Sequence, residues 1–321
     1  MPSPHVTISC PLCLSLLLSF LCCGYTTPAF GEEADPISSE AKLAAAAMQV
    51  PEGFHAEAVA SEPLFANPVA FCFDPQGRIF VAETHRVDKG VEDNRDHMDW
   101  LDDDLASRTV ADRRDYTMRK MGDRIDLFTE SSEIVRLLED RDQDGRYEWS
   151  SVFSDGYNAI EDGAAAGVLA VGDRIWFTCI PTLWELRDSD GDGKAEDKRT
   201  LATGFGVRNA FYGHDMHGLT FGPDGKIYFS IGDRGLNVET PNGSLVNPDS
   251  GAVLRCNPDG SDLELFATGL RNPQELAFNE FGDLFTGDNN SDSGDQARLV
   301  QVVDGMDAGW RMFYQYLPDR G

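Results

Sequence analysis

The sequence predicts an all-β fold, a β-propeller with about four blades present. A strand–turn–strand unit recurs four times, and the last three copies, aligned on their turns, are spaced by 52 and 57 residues. A second pair of strands follows each of the first three copies. Four short strands repeated over about 40–50 residues are typical of a propeller blade.

The third copy of the unit is the most informative, and it spans residues 214–235 (HDMHGLTFGPDGKIYFSIGDRG). Its segment 222–225 predicts a turn, because Pro presets φ at the second position and Gly fits the fourth. Apolar residues alternate on both sides of this turn. Pairing outward from the turn sets His214 opposite Asp233, with Cβ atoms about 4.5–5.5 Å apart. A β-bulge would instead bring Asp215 opposite Asp233.

The other elements follow in chain order. Residues 32–50 are polar and Ala-rich, which predicts a linker or a short helix, and residues 51–321 form an incomplete propeller. Residues 86–122 interrupt the first blade as a charged, helical insertion that Trp100, Leu101 and Leu105 would anchor. The remaining copies of the unit lie at 67–85, 163–179 and 272–288, and the second strand pairs lie at 134–153, 183–201 and 252–267.

The N-terminal segment predicts export. Residues 1–31 contain no Asp, Glu, Lys or Arg, and their apolar stretch at 12–23 has the length of a signal-peptide core. We expect a signal peptide or an N-terminal anchor, and hence the periplasm or cell envelope. Cys72, Cys179 and Cys256 lie beyond this leader, which favours buried free thiols, although one disulfide could form. The chain has no Cys-x-x-Cys-His haem attachment motif.

The charge of the chain narrows its partners. The formal net charge of −28 makes nucleic acids and anionic membrane surfaces poor partners. An acidic chain rich in Asp-Gly turns suits an exported protein that meets calcium or neutral solutes. We therefore expect a small-molecule ligand and no nucleic acid.

The repeat brings polar residues to one end of the central channel. In a propeller, the innermost strand of each blade begins at the face where the next strand ends. The spacing makes Asp162, His214 and Arg271 equivalent, and it matches Asp233 with Asn290. His217 lies one step further into the hairpin. The predicted mouth residues are Asp162, His214, Asp233, Arg271, Asn272 and Asn290, with His85 as a further candidate, and His217 is a candidate cofactor contact beside them. Their convergence indicates a substrate or cofactor pocket, and the alternative is a set of ordinary polar loop residues.

Three acidic segments are candidate calcium sites. Two of them match the first half of a calcium loop, but their twelfth position is Ser151 or Arg199 instead of Glu. Glu196 could partly compensate in the second, and plain Asp-Gly turns are the alternative for both. The third segment follows the second strand of blade four, at the site face, and could hold a cation or form a simple surface loop. The candidate ligands are Asp140, Asp142 and Asp144, then Asp188, Asp190 and Asp192, and at the site face Asp288, Asn290, Asp292 and Asp295.

Residues 214–316 resemble the soluble quinoprotein glucose/sorbosone dehydrogenases, which are six-bladed propellers that bind pyrroloquinoline quinone (PQQ) and calcium. The resemblance rests on the 214–235 string, on GLRNPQELAF at 269–278, on GDNNSDSGD at 287–295 and on AGW at 308–310. It implies that His214 is the catalytic base and that Asp233 orients it. It also implies that Arg271 and Asn272 contact the quinone and that the 288–295 loop holds the cofactor calcium.

A wider resemblance covers the chain after its leader. VPEGFHAEAVASEP at 50–63, the insertion at 89–113, LLEDRDQDGRYEWS at 137–150 and GFGVRNAFYGHDMHGL at 204–219 are similar to the propeller of the large membrane-bound dehydrogenase or PVC-type haem-binding CxxCH proteins. Those proteins usually continue into further blades and a cytochrome c module. The resemblance therefore implies a C-terminally truncated propeller, which could lack activity of its own.

The resemblance implies oxidation of a sugar or other alcohol. His214 would take the hydroxyl proton, and hydride would pass to the quinone. An electron acceptor such as a c-type cytochrome would come from outside this chain. Two alternatives stay open: a calcium-dependent propeller lactonase or other hydrolase, in which His217 could act in place of His214, and a non-catalytic propeller that binds carbohydrate or a partner.

Overall fold

The computed structural model describes residues 36–318. The predicted signal peptide or anchor at 1–31 lies outside these residues. The described chain forms four blades in a propeller arrangement, which confirms the predicted fold class. Within 36–318, no helix is long and apolar enough to cross a membrane.

The first two blades are four-stranded antiparallel sheets in simple chain order. Their strands are β1 (Pro68–Phe73), β2 (Ile79–Glu83), β3 (Glu133–Glu139) and β4 (Trp149–Tyr157), then β5 (Ala165–Val171), β6 (Arg174–Cys179), β7 (Thr182–Arg187) and β8 (Asp197–Thr203). All four strand pairs predicted for these blades are present.

The third and fourth blades carry elements that the sequence repeat does not predict. A hairpin, β11–β12, separates the second and third strands of blade three, and β18 adds to its outer edge in parallel. Blade four has a third strand, β17. The strands are β9 (Met216–Phe221), β10 (Ile227–Ile231), β11 (Leu236–Thr240), β12 (Gly243–Asn247), β13 (Gly251–Cys256), β14 (Glu264–Leu270), β15 (Pro273–Phe278), β16 (Leu284–Asp288), β17 (Arg298–Val302) and β18 (Met306–Asp307).

The turn between β9 and β10 forms as predicted, but the register beside it is shifted. Gly225 adopts φ +78°, and the main-chain N of Gly222 donates to the carbonyl of Lys226 at 2.8 Å. This is a three-residue loop ending in a left-handed Gly. The predicted register is wrong by one residue here. A bulge between Tyr228 and Ser230 removes the shift, so the open end of the hairpin keeps the predicted pairing.

Aromatic side chains join neighbouring blades. Phe80 and Phe153 of blade one meet edge to face, with ring centroids 4.9 Å apart, in the cluster that also holds Phe177 of blade two. Phe205 and Phe229 meet similarly at 5.6 Å between blades two and three. Each such buried side chain contributes about 1.5–3 kcal/mol. The packing fixes the blades relative to one another, and with them the strand ends at the channel mouth.

The insertion in blade one is helical, as predicted, and reaches residue 129. It contains a 3-10 helix (Met98–Trp100), α2 (Leu101–Ala106), α3 (Val110–Met121) and a second 3-10 helix (Gly122–Thr129). Thr109 and Asp112 form a capping box at the start of α3. Trp100 is buried, as predicted for an anchor, whereas Leu101 and Leu105 are half-buried. The region predicted as a linker or short helix contains α1 (Ser39–Ala46).

The cysteines of the described chain are free thiols. Cys179 and Cys256 are buried and Cys72 is half-buried. Burial raises the pKa of Cys72 and of Cys256 to about 12. These thiols are therefore protonated at neutral pH and serve as packing groups.

Candidate active site

The centre of the site is a contact between His214 and Asp233. His214 lies just before β9 and Asp233 just after β10, so the antiparallel pairing sets them side by side. Nδ1 of His214 lies 2.6 Å from Oδ1 of Asp233, and both side chains are buried. The predicted contact is confirmed, and the partner of Asp233 is His214 rather than Asp215.

Asp233 is ionised at neutral pH. Its Oδ2 accepts a hydrogen bond from the indole Nε1 of Trp310 at 2.8 Å, and its main-chain N donates to the carbonyl of Arg271 at 2.8 Å. Burial alone would raise the pKa of this carboxyl. The imidazole of His214, the Trp310 hydrogen bond and the charge of Arg271 outweigh burial and hold the pKa below its ordinary value.

The ionised carboxylate fixes the tautomer of His214. A carboxylate only accepts hydrogen bonds, so Nδ1 carries the hydrogen and donates it to Asp233. In the neutral form of the ring, Nε2 keeps its lone pair, and among residues 36–318 only Asp233 hydrogen-bonds to this ring. An imidazole oriented in this way can take a proton from a hydroxyl group.

Arg271 lies beside the pair, at the start of blade four. Its guanidinium donates from Nε to Gln315 at 3.0 Å and from Nη2 to Asp292 at 2.9 Å. The aromatic rings of Phe211 and Trp310 lie 5.9 and 5.7 Å from Cζ. The third nitrogen, Nη1, is buried and has no partner among the described residues. An unpaired buried donor is costly, so Nη1 is an available contact for a ligand acceptor.

Asn272 offers the matching acceptor. The main-chain N atoms of Arg271 and Asn272 both donate to Oδ1 of Asp288, at 3.0 and 2.9 Å, which fixes this strand start. The side-chain Oδ1 of Asn272 is buried and, within 36–318, has no hydrogen-bond partner. The two predicted quinone contacts are therefore adjacent, and each keeps one free polar atom.

The predicted calcium ligands of the 288–295 loop do not converge. Asp288 accepts from the main chain of Arg271 and Asn272 on one oxygen and from Arg298 on the other, the last at 2.5 Å. Asp292 pairs with Arg271 at 2.9 Å, and Asp295 accepts from the main chain of residue 291 at 2.8 Å. Arginines thus supply the positive charge that a cation would bring. In the described chain, these carboxylates form no group whose ligand atoms lie within 4.8 Å of one another.

Three other predicted site residues make local hydrogen bonds. Oδ2 of Asp162 accepts from the main chain of residue 159 at 2.8 Å, and burial raises the pKa of this carboxyl. Asn290 donates to the carbonyl of residue 295 at 3.2 Å. Nε2 of His217 donates to the carbonyl of Gly213 at 2.9 Å, so this nitrogen carries a hydrogen. The geometry therefore favours His214 over His217 as a base.

The two acidic turns bring several carboxylates together at the β3–β4 and β7–β8 turns. In each turn, the ligand oxygens of at least three acidic residues lie within 4.8 Å of one another. The same oxygens accept main-chain N–H groups, as in ordinary Asp-Gly turns. Calcium at these turns stays a prediction. The groups are Asp188, Asp190, Asp192 and Glu196, and Asp140, Asp142 and Glu148, whereas Asp144 lies outside the second group.

A second buried pair follows the first in sequence. Asp215 is 1 % exposed, and Nε of Arg234 lies 3.6 Å from its Oδ1. Both carboxylate oxygens of Asp215 lack a hydrogen-bond partner among the described residues, and so does Nε of Arg234. Removing one partner alone would leave the other uncompensated in the interior, so a single substitution at either position should be destabilising.

Sequence reasoning missed the residues that close the site from far along the chain. Gln315 and Tyr316 lie on a 3-10 helix at Met312–Tyr316, and Trp310 lies just before that helix. The AGW string marked Trp310 without giving it a role. Its hydrogen bond to Asp233 spans 77 residues, so no local spacing could have indicated it.

The insertion covers the channel mouth. Asp93, Asp104 and Arg113 hydrogen-bond to the main chain of residues 212, 209 and 206, at 2.9, 2.6 and 2.8 Å. A cleft of about 430 Å³ lies between the insertion and the blade-four side of the mouth. One of its lining residues is Phe211, whose ring centroid is 5.8 Å from that of His214. The insertion therefore forms part of the candidate site.

Fold and site define a β-propeller with a buried histidine–carboxylate pair at its channel mouth. The family described as Domain of unknown function (DUF7133) matches residues 40–304. Because this match covers more than half of the chain, the protein belongs to that family.

Similar proteins include sugar dehydrogenases. Over 135 residues the chain is 33% identical to quinoprotein glucose dehydrogenase B of Acinetobacter calcoaceticus, a match that takes 34% of this chain and 28% of that protein. The PQQ-bound aldose sugar dehydrogenase of Streptomyces coelicolor aligns at TM-score 0.46 and 16% identity, over 77% of this chain and 63% of that one. The calcium structure of a Trichoderma reesei family AA12 enzyme aligns at TM-score 0.44 and 14% identity, over 81% and 57%. The chain thus spans less than two thirds of each of these proteins.

Proposed function

We propose that this propeller is a quinoprotein-like dehydrogenase that oxidises a sugar or another alcohol. The His214–Asp233 contact of 2.6 Å carries the proposal, because it leaves Nε2 of a buried imidazole as an acceptor. The similarity to quinoprotein glucose dehydrogenase supports the class of reaction. When bound, PQQ would supply the two-electron acceptor for the hydride.

His214 would take the proton of the reacting hydroxyl at Nε2. The resulting imidazolium would be stabilised by Asp233, because burial strengthens the attraction between the two charges. Trp310 would keep the carboxylate in place through its 2.8 Å hydrogen bond to Oδ2. A general base of this kind contributes about 10²–10⁴-fold to the rate.

Arg271 and Asn272 would hold the quinone. Their buried free atoms, Nη1 and Oδ1, fit the acceptors and donors at the edge of a planar anionic ligand. Phe211 and Trp310 confine the guanidinium and keep Nη1 in position. We derive no step through calcium, because the carboxylates of the 288–295 loop are already used by arginines and main-chain groups.

Two further proposals concern the surroundings of the enzyme. The uncharged, apolar leader supports export to the periplasm or cell envelope. Electrons would then leave through a separate acceptor such as a c-type cytochrome, because the chain contains no Cys-x-x-Cys-His motif of its own.

Dye reduction with a panel of sugars and alcohols tests the proposal, using the 321-residue protein supplied with PQQ and calcium. His214→Ala should reduce turnover by at least 10²-fold while the protein stays folded. His55→Ala is the matched control, because that side chain is 87% exposed, and it should retain full activity. PQQ binding measured by calorimetry should persist in both variants.

Two outcomes would overturn the proposal. One is the absence of PQQ binding by calorimetry together with the absence of dye reduction. The other is turnover of lactones without quinone, which would assign the mouth to a hydrolase. Equal activity of His214→Ala and wild type would remove His214 from the mechanism even if the protein reduces dye.

A further inference from the structure

The cleft beside the dyad is built by the insertion as much as by the blades. Arg95 and Met98 come from the insertion, Asp292 from the blade-four loop, and Tyr316 from the 3-10 helix beyond it. Phe211 also lines the cleft, although it is only 6% exposed. Buried hydrogen bonds tie the insertion to residues 206–212, so this wall is fixed to the propeller rather than hinged.

Arg95 is held rigidly although its side chain is 58% exposed. Nε and Nη2 both bind Asp93, at 2.8 and 2.7 Å, and the guanidinium lies 4.7 Å from the ring of Phe211. Fixing a long exposed side chain costs up to about 2 kcal/mol of conformational entropy, whereas surface ion pairs contribute little. The geometry leaves Nη1 directed away from Asp93, as a prepared donor.

Asp292 provides the matching acceptor. Its Oδ2 pairs with Arg271 at 2.9 Å, and the side chain is 44% exposed. Its backbone adopts φ +60°, a conformation that costs energy for any residue other than Gly. Both side chains line the same cleft, and the pKa of Arg95 is raised mainly by its hydrogen bond to Asp93 and to a smaller extent by the charge of Asp292. A donor and an acceptor therefore line one cleft.

The charges of this cleft cancel. Arg95 is paired with Asp93, and Arg271 with Asp292, so no net charge is left for an ionic ligand. A hydroxyl group, which both donates and accepts, fits a free guanidinium N–H beside a free carboxylate oxygen. The apolar side chains of Met98 and Leu101, which also line the cleft, suit the C–H face of a ring. The chemistry of the lining thus favours a neutral polyhydroxylated ring.

We propose that the insertion forms a binding subsite for a second, non-reacting sugar unit, with Arg95 as its specificity-determining residue. This inference rests on the proposed function. Phe211 lines this cleft and also contacts His214, with ring centroids 5.8 Å apart, so a ring bound in the cleft is beside the proton acceptor and not on it. The ligand class is therefore a neutral di- or oligosaccharide rather than a free monosaccharide or an acidic sugar.

Calorimetric titration of the full chain without PQQ tests the subsite independently of catalysis. The probes are cellobiose, maltose and maltotriose, with glucose and glucuronate for comparison. At least one neutral oligosaccharide should bind at least tenfold more tightly than glucose or glucuronate. Arg95→Ala should weaken that binding about tenfold. Arg119→Ala is the matched control, because this arginine of the same insertion pairs with Asp103 on the surface, and it should bind like wild type.

The outcomes separate the subsite from the reaction. Tight, Arg95-dependent binding in a protein that neither binds PQQ nor reduces dye would support the subsite and overturn the dehydrogenase. Dye reduction with no preference for oligosaccharides, or oligosaccharide binding unchanged in Arg95→Ala, would overturn the subsite alone. Tighter binding of glucuronate would also overturn it, because the cleft would then carry a net positive charge. Circular dichroism and urea unfolding of each variant would show that the fold is intact.

Discussion

Trp310→Phe is the sharpest test of the environment of Asp233. The substitution removes the 2.8 Å hydrogen bond to Oδ2 and leaves a buried, ionised carboxylate with one donor fewer. A hydrogen bond to a charged group contributes about 1.5–3 kcal/mol. The indole centroid also lies 6.1 Å from the ring centroid of Tyr314 and 5.7 Å from Cζ of Arg271. The total loss of stability therefore exceeds the contribution of the hydrogen bond alone.

A double-mutant cycle with Asp233→Asn isolates the hydrogen bond, because replacing the indole by a phenyl ring changes the ring contacts equally in both backgrounds. A neutral amide accepts more weakly than a carboxylate, so we expect a coupling of about 1 kcal/mol or more. Urea unfolding at pH 7 measures each corner of the cycle. Trp176→Phe is the control, because its Nε1 donates to the carbonyl of Pro258 at 3.0 Å. Additivity of Trp310→Phe and Asp233→Asn to within about 0.3–0.5 kcal/mol would refute the reasoning.

Gly232→Ala should destabilise the protein by about 1–3 kcal/mol, because its Cβ would lie 2.7–2.8 Å from His214; Gly287→Ala, where a Cβ meets nothing within 4 Å, should cost much less, and equal losses in urea unfolding would contradict this. Glu185→Gln should destabilise the protein at neutral pH, and this difference from wild type should disappear in acid. Burial opposes ionisation of this carboxyl, but hydrogen bonds from Arg174, Arg199 and Arg187 lower its pKa from 4.5 to about 2. The stabilisation is therefore complete above pH 4.5 and disappears as the pH falls towards 2. A gap between variant and wild type that stays constant down to pH 2 would exclude that cause. Calcium at about 1 mM should raise the melting temperature of wild type more than that of Asp190→Asn, and an equal rise would locate the effect elsewhere.

The sequence predicts the blades well because their signals are local. Each hairpin carries its own turn residues and its own apolar alternation, and the repeat supplies a second, independent indication. The repeat does not predict the β11–β12 hairpin, since this hairpin occurs in one blade and interrupts the repeat. The repeat also does not predict the strand register beside the 222–225 turn. A left-handed Gly225 adds one residue to the loop, and a bulge further along removes the shift.

The candidate site divides in the same way. His214 and Asp233 belong to one hairpin, so strand pairing alone predicts their contact. Arg271 follows from the repeat, because equivalent residues of successive blades share one face. The state of the 288–295 loop could not be predicted, because it depends on which carboxylates Arg271 and Arg298 reach.

The division between local and distant contacts has a consequence for the roles of the residues. The proton acceptor is defined by one hairpin, whereas the cleft beside it is defined by the insertion. Changes within the insertion should therefore alter the apparent affinity for substrate and leave the buried His214–Asp233 contact intact. Changes at Gly232 or Trp310 should act on that contact and so on the chemical step. Comparing KM with kcat in the two groups of variants would show whether recognition and proton transfer are separable in this propeller.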